Sequence, residues 1–363
     1  MSGYRSLRDL DWGLLVITLA LSALGVLQIY SATLGTVWRD AWWKQVIYVT
    51  LGLVVMWLVT QIDYHSYLGQ VPIFYLLSLA TLIMTLLVGR QVFGSRRWIP
   101  LFGGFHFQTS EFVKLVIILL VARYLSELKR DQLETRDLLK LAALVGVPAI
   151  LVMRQPDLGT SLTYFPVLAM GIFLGGPRWQ HVVAILVVAV LLMPFAWFAL
   201  KDYQKARLST FIDPGKDPRG SGYQVIQSTI AVGQGGIWGR GVTKGSQTQL
   251  RFLPVPHTDF IFSSFAEEHG FVGVVVVLGL YFLLLMQIVQ NAQAAPDRAG
   301  MYICMGVATL LLFHILVNVG MVVGRVPVTG IPLPLMSAGG SNTLSTFMML
   351  GLVNNVRLRR FIS

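Results

Sequence analysis

The chain predicts an all-α integral membrane protein: a polytopic bundle of about ten transmembrane helices with a long, partly helical extracellular loop. Three observations carry this. Of 363 residues, 55% are hydrophobic and 12% charged, and the mean hydropathy is +0.67, values that describe helices solvated by lipid. Apolar segments recur at about the length that crosses a bilayer. One interval between them, 201–268, is long, basic and rich in turn residues.

In order, the apolar spans cover 12–30, 43–61, 71–89, 111–126, 138–153, 158–175, 181–200, 269–290, 300–324 and 339–356. The first exceeds a signal-peptide core and runs into more membrane chain, so it reads as an uncleaved first helix. The fourth, fifth and sixth are short or interrupted, a pattern of helices tilted or shielded by neighbours. No repeat or soluble domain breaks the series, so 1–363 reads as one membrane domain. Cys304 is the only cysteine, which excludes an internal disulfide and a cysteine metal cluster. A formal charge of +11 would point to nucleic acid in a soluble chain. Here it points to anionic membrane lipid and to no nucleic acid.

Lys and Arg near the span ends set the orientation. With both termini cytoplasmic, the inner segments carry Arg5, Arg8, Arg123, Lys129, Arg130, Arg136, Lys140, Arg178, Arg298, Arg357, Arg359 and Arg360. The short outer loops carry fewer: Arg39, Lys44, Arg90, Arg96, Arg97, Arg154 and Arg325. The 201–268 loop adds more basic residues outside, which a loop of that length tolerates. The outer face is therefore basic and suited to an anionic substrate.

Within the loop, residues 213–221 are dense in turn formers. Tyr223, Ile226, Ile230 and Gly233 follow at helical spacing after Ser221 as a cap, predicting a short amphipathic helix at the membrane surface. Five glycines then fall between Gly233 and Gly241. Such a run serves either close backbone approach to a ligand or structural turns.

Ionisable residues concentrate at 257–270, where two histidines and three carboxylates occur in an apolar chain. Pro254 and Pro256 keep the approach extended. Asp259 is followed at once by Phe260, Ile261 and Phe262, so it sits where a polar loop meets an apolar helix. Two readings stand there. Thr258 or Asp259 caps the helix, or a partly desolvated Asp259 is readied for proton transfer. Glu267, Glu268 and His269 read as a solvated cap on the eighth span. Glu111 and Lys114 share a helix face, and Lys114 lies in apolar sequence, where an ionisable group is paired or functional. Arg325 opens a proline-rich approach to the last span. Ser337, Gly339, Gly340 and Ser341 then form a small-residue helix start, which is an anion site or a plain cap.

At this point the residues match a known family. Gln155-Pro-Asp-Leu-Gly-Thr160, the 222–228 segment, the 253–262 segment with His257, Thr258 and Asp259, and the 330–341 segment resemble the signature stretches of the SEDS proteins (shape, elongation, division and sporulation) over essentially the whole chain. Residues 244–250 are more similar to the elongation branch than to the division branch. Val255-Pro256 and Ala338 depart from the usual pattern. The resemblance implies a peptidoglycan glycosyltransferase that polymerises lipid II on the outer face of the bacterial cytoplasmic (inner) membrane, working with a class B penicillin-binding protein. It places the catalytic aspartate at Asp259. On this reading Asp259 is the general base. Lys114, Glu111, His257 and Thr258 line the substrate cavity, and Arg325 with Ser337, Gly339, Gly340 and Ser341 lies near the pyrophosphate. No protein-borne metal site is expected, although a divalent cation (Mg or Mn) bridging Asp259 to pyrophosphate is compatible with the chemistry.

Rival readings are a lipid-linked precursor flippase, a non-catalytic scaffold of the elongation complex, and a metal hydrolase built on His257, Asp259, Glu267 and His269. The last lacks the helical spacing of zinc enzymes. A scaffold would leave the carboxylate at 259 without purpose.

Overall fold

A computed structural model describes residues 10–92, 95–100, 106–130, 132–217 and 220–360. Arg5, Arg8, Pro218 and Arg219 fall outside the described residues. In chain order the helices are α1 (Trp12–Thr33), α2 (Ala41–Gln61), α3 (Tyr64–Gly69), α4 (Val71–Val88), α5 (Thr109–Glu127), α6 (Thr135–Arg154), α7 (Leu158–Leu162), α8 (Tyr164–Leu174), α9 (Trp179–Ala199), α10 (Asp202–Ile212), α11 (Ser221–Gln234), α12 (Ser246–Gln249), α13 (Ile261–Gln293), α14 (Arg298–Val322) and α15 (Gly340–Arg359). Every predicted span is helical, with the sixth split into α7 and α8.

Among the described residues α1, α2, α4, α13 and α14 are long and apolar enough to cross a membrane by composition alone. Helices α5 and α15 are more polar because their polar residues face protein. In α15, Asn342, Thr343, Ser345, Thr346, Asn354 and Asn355 are all buried, which lowers hydropathy without exposing polar groups to lipid. The fold is that of an all-α, multi-pass membrane protein.

Successive spans reverse direction, so their contacts sort to two ends. At the end holding the start of α1 and the finish of α15, Asp11 caps α1 by accepting from Leu14 N. Its carboxylate also accepts from Gln287, Asn291 and Arg357, the last at 2.9 Å. That one buried carboxylate ties α1, α13 and α15 together. Helix α14 sits innermost, packing on α5, α8, α13 and α15. Helix α15 lies tight against α2, where a Cβ on Gly52 would come within 2.6 Å of the Phe347 ring.

Three features depart from the sequence reading. A small antiparallel sheet, β1 (Arg90–Val92), β2 (Ser95–Pro100) and β3 (His106–Gln108) in the order β1-β2-β3, joins α4 to α5. Helix α13 begins at Ile261 rather than 269, and Glu267 and Glu268 are buried rather than a solvated cap. Phe262, Phe265 and Ala266 pull that first segment inside, so its carboxylates are satisfied by protein instead of water. Finally, α11 starts at Ser221 with Gly220 as its cap residue. It docks through Val225, Ser228 and Ala231, leaving Ile226 and Ile230 outward. The Ser228 hydroxyl donates to Val322 O (2.8 Å) and lies 2.8 Å from Ser263 Oγ; that pairing decides which face turns in.

Candidate active site

The opposite end of the bundle gathers the loop 200–260, the small sheet and the proline-rich segment 325–339. Asp259 stands at its centre, just before α13. That helix has Phe260 at its N-cap and no side-chain cap. Neither Thr258 nor Asp259 is spent on capping, which removes the plainest structural explanation for a carboxylate there.

The backbone around Asp259 is pinned carbonyl by carbonyl. His257 O accepts from Ala338 N (2.9 Å). Thr258 O accepts from the Ser337 hydroxyl (2.7 Å), and Asp259 O accepts from Asn318 Nδ2 (3.0 Å). The same Asn318 amide donates to Ile331 O at 2.8 Å, and Ser337 Oγ accepts from Leu333 N at 2.8 Å. Three consecutive carbonyls are thus fixed from α14 and the approach to α15, which holds the side chain's origin in place. Gly330, at φ +73, passes so close that a Cβ there would lie 3.3 Å from Asp259 Oδ2.

Burial raises the Asp259 carboxyl above the ordinary carboxylate range. Arg207 and Arg97 pull it down, Asp157 pushes it up, and a bond from Thr258 lowers it. Burial prevails, which is the sense that makes a carboxylate a better base. The two arginines are themselves anchored. Arg207 Nη1 donates to Val328 O (3.1 Å). Arg97, on β2, donates to Pro156 O and lies 3.6 Å from Asp157 Oδ1. Asp157 caps α7 through Thr160 N (3.1 Å) and accepts from Gln108 Nε2 (3.1 Å).

Glu111 and Lys114 form the predicted pair. Lys114 Nζ donates to Glu111 Oε2 at 2.7 Å, with side chains only 1% and 3% exposed for the lysine and glutamate. Lys114 Nζ also lies 3.3 Å from His314 Nε2. His314 Nδ1 is 3.2 Å from Pro332 O. A carbonyl can only accept, so Nδ1 carries the hydrogen and Nε2 accepts from the ammonium. Asn318 sits one turn beyond His314. A hydrogen-bonded chain therefore runs from Glu111 through Lys114 and His314 to the 331–332 backbone, which Asn318 joins to Asp259. In this arrangement the pair is enclosed by α5, α14 and α15 and does not line an open cavity.

Other predicted residues sort as follows. His257 is buried, its ring 5.7 Å from that of Trp38, and burial lowers its pKa. Ser337 and Ser341 are latches rather than free hydroxyls, since Ser341 Oγ accepts from Gln108 N (2.9 Å). Gly339 N donates to Gln45 Oε1 (3.1 Å), and Gly340 packs on Tyr48. Arg325 is exposed where α14 ends. The charges of Arg207 and Arg97, carried by α10 and β2, bear on Asp259. Sequence reasoning counted both only as surface charge. His314 and Asn318 were missed too, although two polar residues four apart in the apolar run 300–324 are a usable signal.

With this geometry in place, comparison with known proteins assigns the class. A family model for FtsW, RodA and SpoVE, described as a cell cycle protein, matches residues 12–360. The peptidoglycan glycosyltransferase MrdB of Escherichia coli (strain K12) is 37% identical over 356 residues, covering 97% of this chain and 94% of that one. A chain of a solved peptidoglycan synthase complex, described for its structural coordination of polymerization and crosslinking, superposes with a TM-score of 0.83. It is 36% identical and covers 98% of this chain and 99% of its own. The crystal structure of Thermus thermophilus rod shape determining protein RodA gives a TM-score of 0.72 at 30% identity, covering 97% and 98%. This chain belongs to the SEDS family, the group of FtsW, RodA and SpoVE.

Proposed function

We propose that the chain is a peptidoglycan glycosyltransferase of the elongation type, which polymerises lipid II on the outer face of the cytoplasmic membrane. The observation that carries this reading is Asp259: a carboxylate not used as a helix cap, raised in basicity by burial, with its backbone pinned and two arginines beside it. A sugar hydroxyl of one substrate gives its proton to the Asp259 carboxylate as its oxygen bonds to the anomeric carbon of the other. The bond from that carbon to pyrophosphate breaks, and the lipid pyrophosphate leaves with the electron pair. General-base assistance of this kind contributes about 10²–10⁴-fold. The leaving group needs positive charge rather than an acid, and Arg97 and Arg207 are placed to supply it.

A divalent ion, Mg or Mn, is a second element of the proposal: the Asp259 carboxylate would hold it, and it would supply positive charge for the departing pyrophosphate. Among the described residues no group of three or more His, Cys, Asp or Glu could hold an ion. The protein's share would therefore be the Asp259 carboxylate, which alone would make the ion depend on a bound substrate for its affinity. Chelation followed by graded return of Mg or Mn tests it: a rate indifferent to chelator removes the ion from the scheme.

Both termini are assigned to the cytoplasm and the loop 201–268 to the outside, by the distribution of basic residues. The partner is assigned as a single-span class B penicillin-binding protein, since the similar chain in the synthase complex belongs to an assembly that joins polymerization to crosslinking. Purified protein given lipid II should form glycan strands visible on a gel, and more of them with that partner. Lipid II translocation without any polymer, with or without the partner, would favour a flippase instead.

A further inference from the structure

Helix α13 has 33 residues, roughly 50 Å at 1.5 Å per residue, far more than the ~30 Å hydrocarbon core of a bilayer. It is divided at Gly270, whose φ of 64 and ψ of −166 leave the helical region. Before the break, residues 261–268 are buried in protein. After it, Phe271, Val272, Val275 and Val276 are exposed, and the remaining 271–293 stretch measures roughly 34 Å. The lipid-facing surface of α13 therefore begins at Phe271.

The glycine-rich loop between α11 and α12 is bolted to the helix at this level. Phe271 N donates to Gly236 O (2.9 Å), and Val272 N donates to Ile237 O (3.1 Å). Arg240 N donates to Glu267 O (3.0 Å), and Gly241 N donates to Glu268 O (2.9 Å). The backbones meet so closely that a Cβ on Gly270 would come within 2.3 Å of Gly239 N. This contact accounts for glycine at both positions. At the loop's tip, Ile237 and Trp238 point away from the protein, 63% and 79% exposed, beside Phe271 at 65%. Arg240 and Lys244 follow, both exposed.

We propose that Ile237 and Trp238 insert into the lipid interface next to α13 and anchor the loop to the membrane. The apolar tip is continuous with the lipid-facing surface of a spanning helix, at the depth where tryptophan concentrates in membrane proteins. The basic residues after it suit an anionic headgroup layer. The anchor reaches the segment that carries Asp259 through buried Glu267, which accepts from Gln247 N (2.7 Å), Thr248 N (3.1 Å) and the Thr248 hydroxyl (2.8 Å). On the glycosyltransferase reading, this fixes the depth of Asp259 relative to a substrate that is itself held in lipid. The anchoring does not depend on that reading.

Cys304 is buried, so single cysteines elsewhere can be labelled selectively. We would place a nitroxide at Trp238→Cys and, as a solvent-facing reference, at Lys244→Cys, in nanodiscs containing anionic phospholipid. Collision with lipid-soluble oxygen and with water-soluble nickel chelate is then measured by EPR. The expected result is an oxygen-to-nickel ratio several-fold higher at 238 than at 244, with Ile237→Cys behaving like 238. Equal or lower ratios at 237 and 238 would overturn the anchor. So would a water-exposed label at 238 that is shielded only on adding a transpeptidase, which would make this a protein-docking face. Polymerisation of lipid II by the same variants, measured separately, tells a failed anchor from a failed catalytic reading.

Discussion

Lys114 Nζ stands 2.7 Å from Glu111 Oε2 and 3.3 Å from His314 Nε2, closed off from solvent. The lysine thus serves two partners, a carboxylate that neutralises it and a neutral imidazole that ties it to the 330–337 segment. Removing one member of a buried ion pair typically costs about 3–5 kcal/mol, since the other charge is left uncompensated. Glu111→Gln and Lys114→Met should therefore each lower thermal stability sharply. The double variant should regain most of the stability but not polymerisation, because His314 has lost its donor. Thermal melts and lipid II assays on the three proteins check this. Recovered polymerisation in the double variant would make the pair purely structural.

The raised Asp259 carboxyl predicts a pH dependence. A general base must be ionised, so kcat/KM should fall as pH drops through its pKa, and that limb should lie above the ordinary value of about 3.9. Arg207 and Arg97 both lower this pKa. Arg207→Gln and Arg97→Gln should therefore shift the limb to higher pH, while Arg97→Lys should largely restore it. A limb that stays put or moves down in the Gln variants would separate these arginines from Asp259.

Asn318 holds both Asp259 O and Ile331 O through one amide. Asn318→Leu leaves two carbonyls without that donor, a loss of about 1–3 kcal/mol, and should reduce kcat roughly 10–100-fold at that scale. The apparent KM for lipid II should change much less, because the amide positions the base and does not touch substrate. A raised KM with unchanged kcat would contradict this.

Much of this architecture is legible in the chain because lipid imposes a simple rule: apolar length predicts a helix. The spans, the Glu111–Lys114 pair and the position of Asp259 all follow from local sequence. The rest depends on which groups meet across the fold. Arg97 and Arg207 look like ordinary basic loop residues until β2 and α10 bring them to Asp259. Glu267 and Glu268 look solvated until Phe262 and Phe265 draw their helix inside and Gln28, Ser31 and Thr248 supply donors. Periodicity groups Ile226 and Ile230 on one face of α11, and both are exposed; local sequence does not say that Ser228 faces the protein, where its hydroxyl meets Val322 O and Ser263 across the fold.

The orientation is open to direct labelling. Cysteine introduced at Lys216 should react with an impermeant maleimide from outside intact cells, and cysteine at Lys129 only after permeabilisation. The reverse pattern would invert the topology and move Asp259 to the cytoplasmic side.

The proposed reaction turns on Asp259 as the base. Its folded pKa is raised, so the stability associated with its protonated form is complete below the unfolded carboxylate's pKa and lost as pH rises through the folded one. At neutral pH the ionised group is therefore a burden, and Asp259→Asn should melt no lower than the parent. The deciding measurement is lipid II polymerisation by purified, folded Asp259→Asn protein beside the parent at equal concentration. With Asp259 as the base, the folded variant makes essentially no glycan strands; polymerisation at a rate comparable to the parent would show that another group takes the proton.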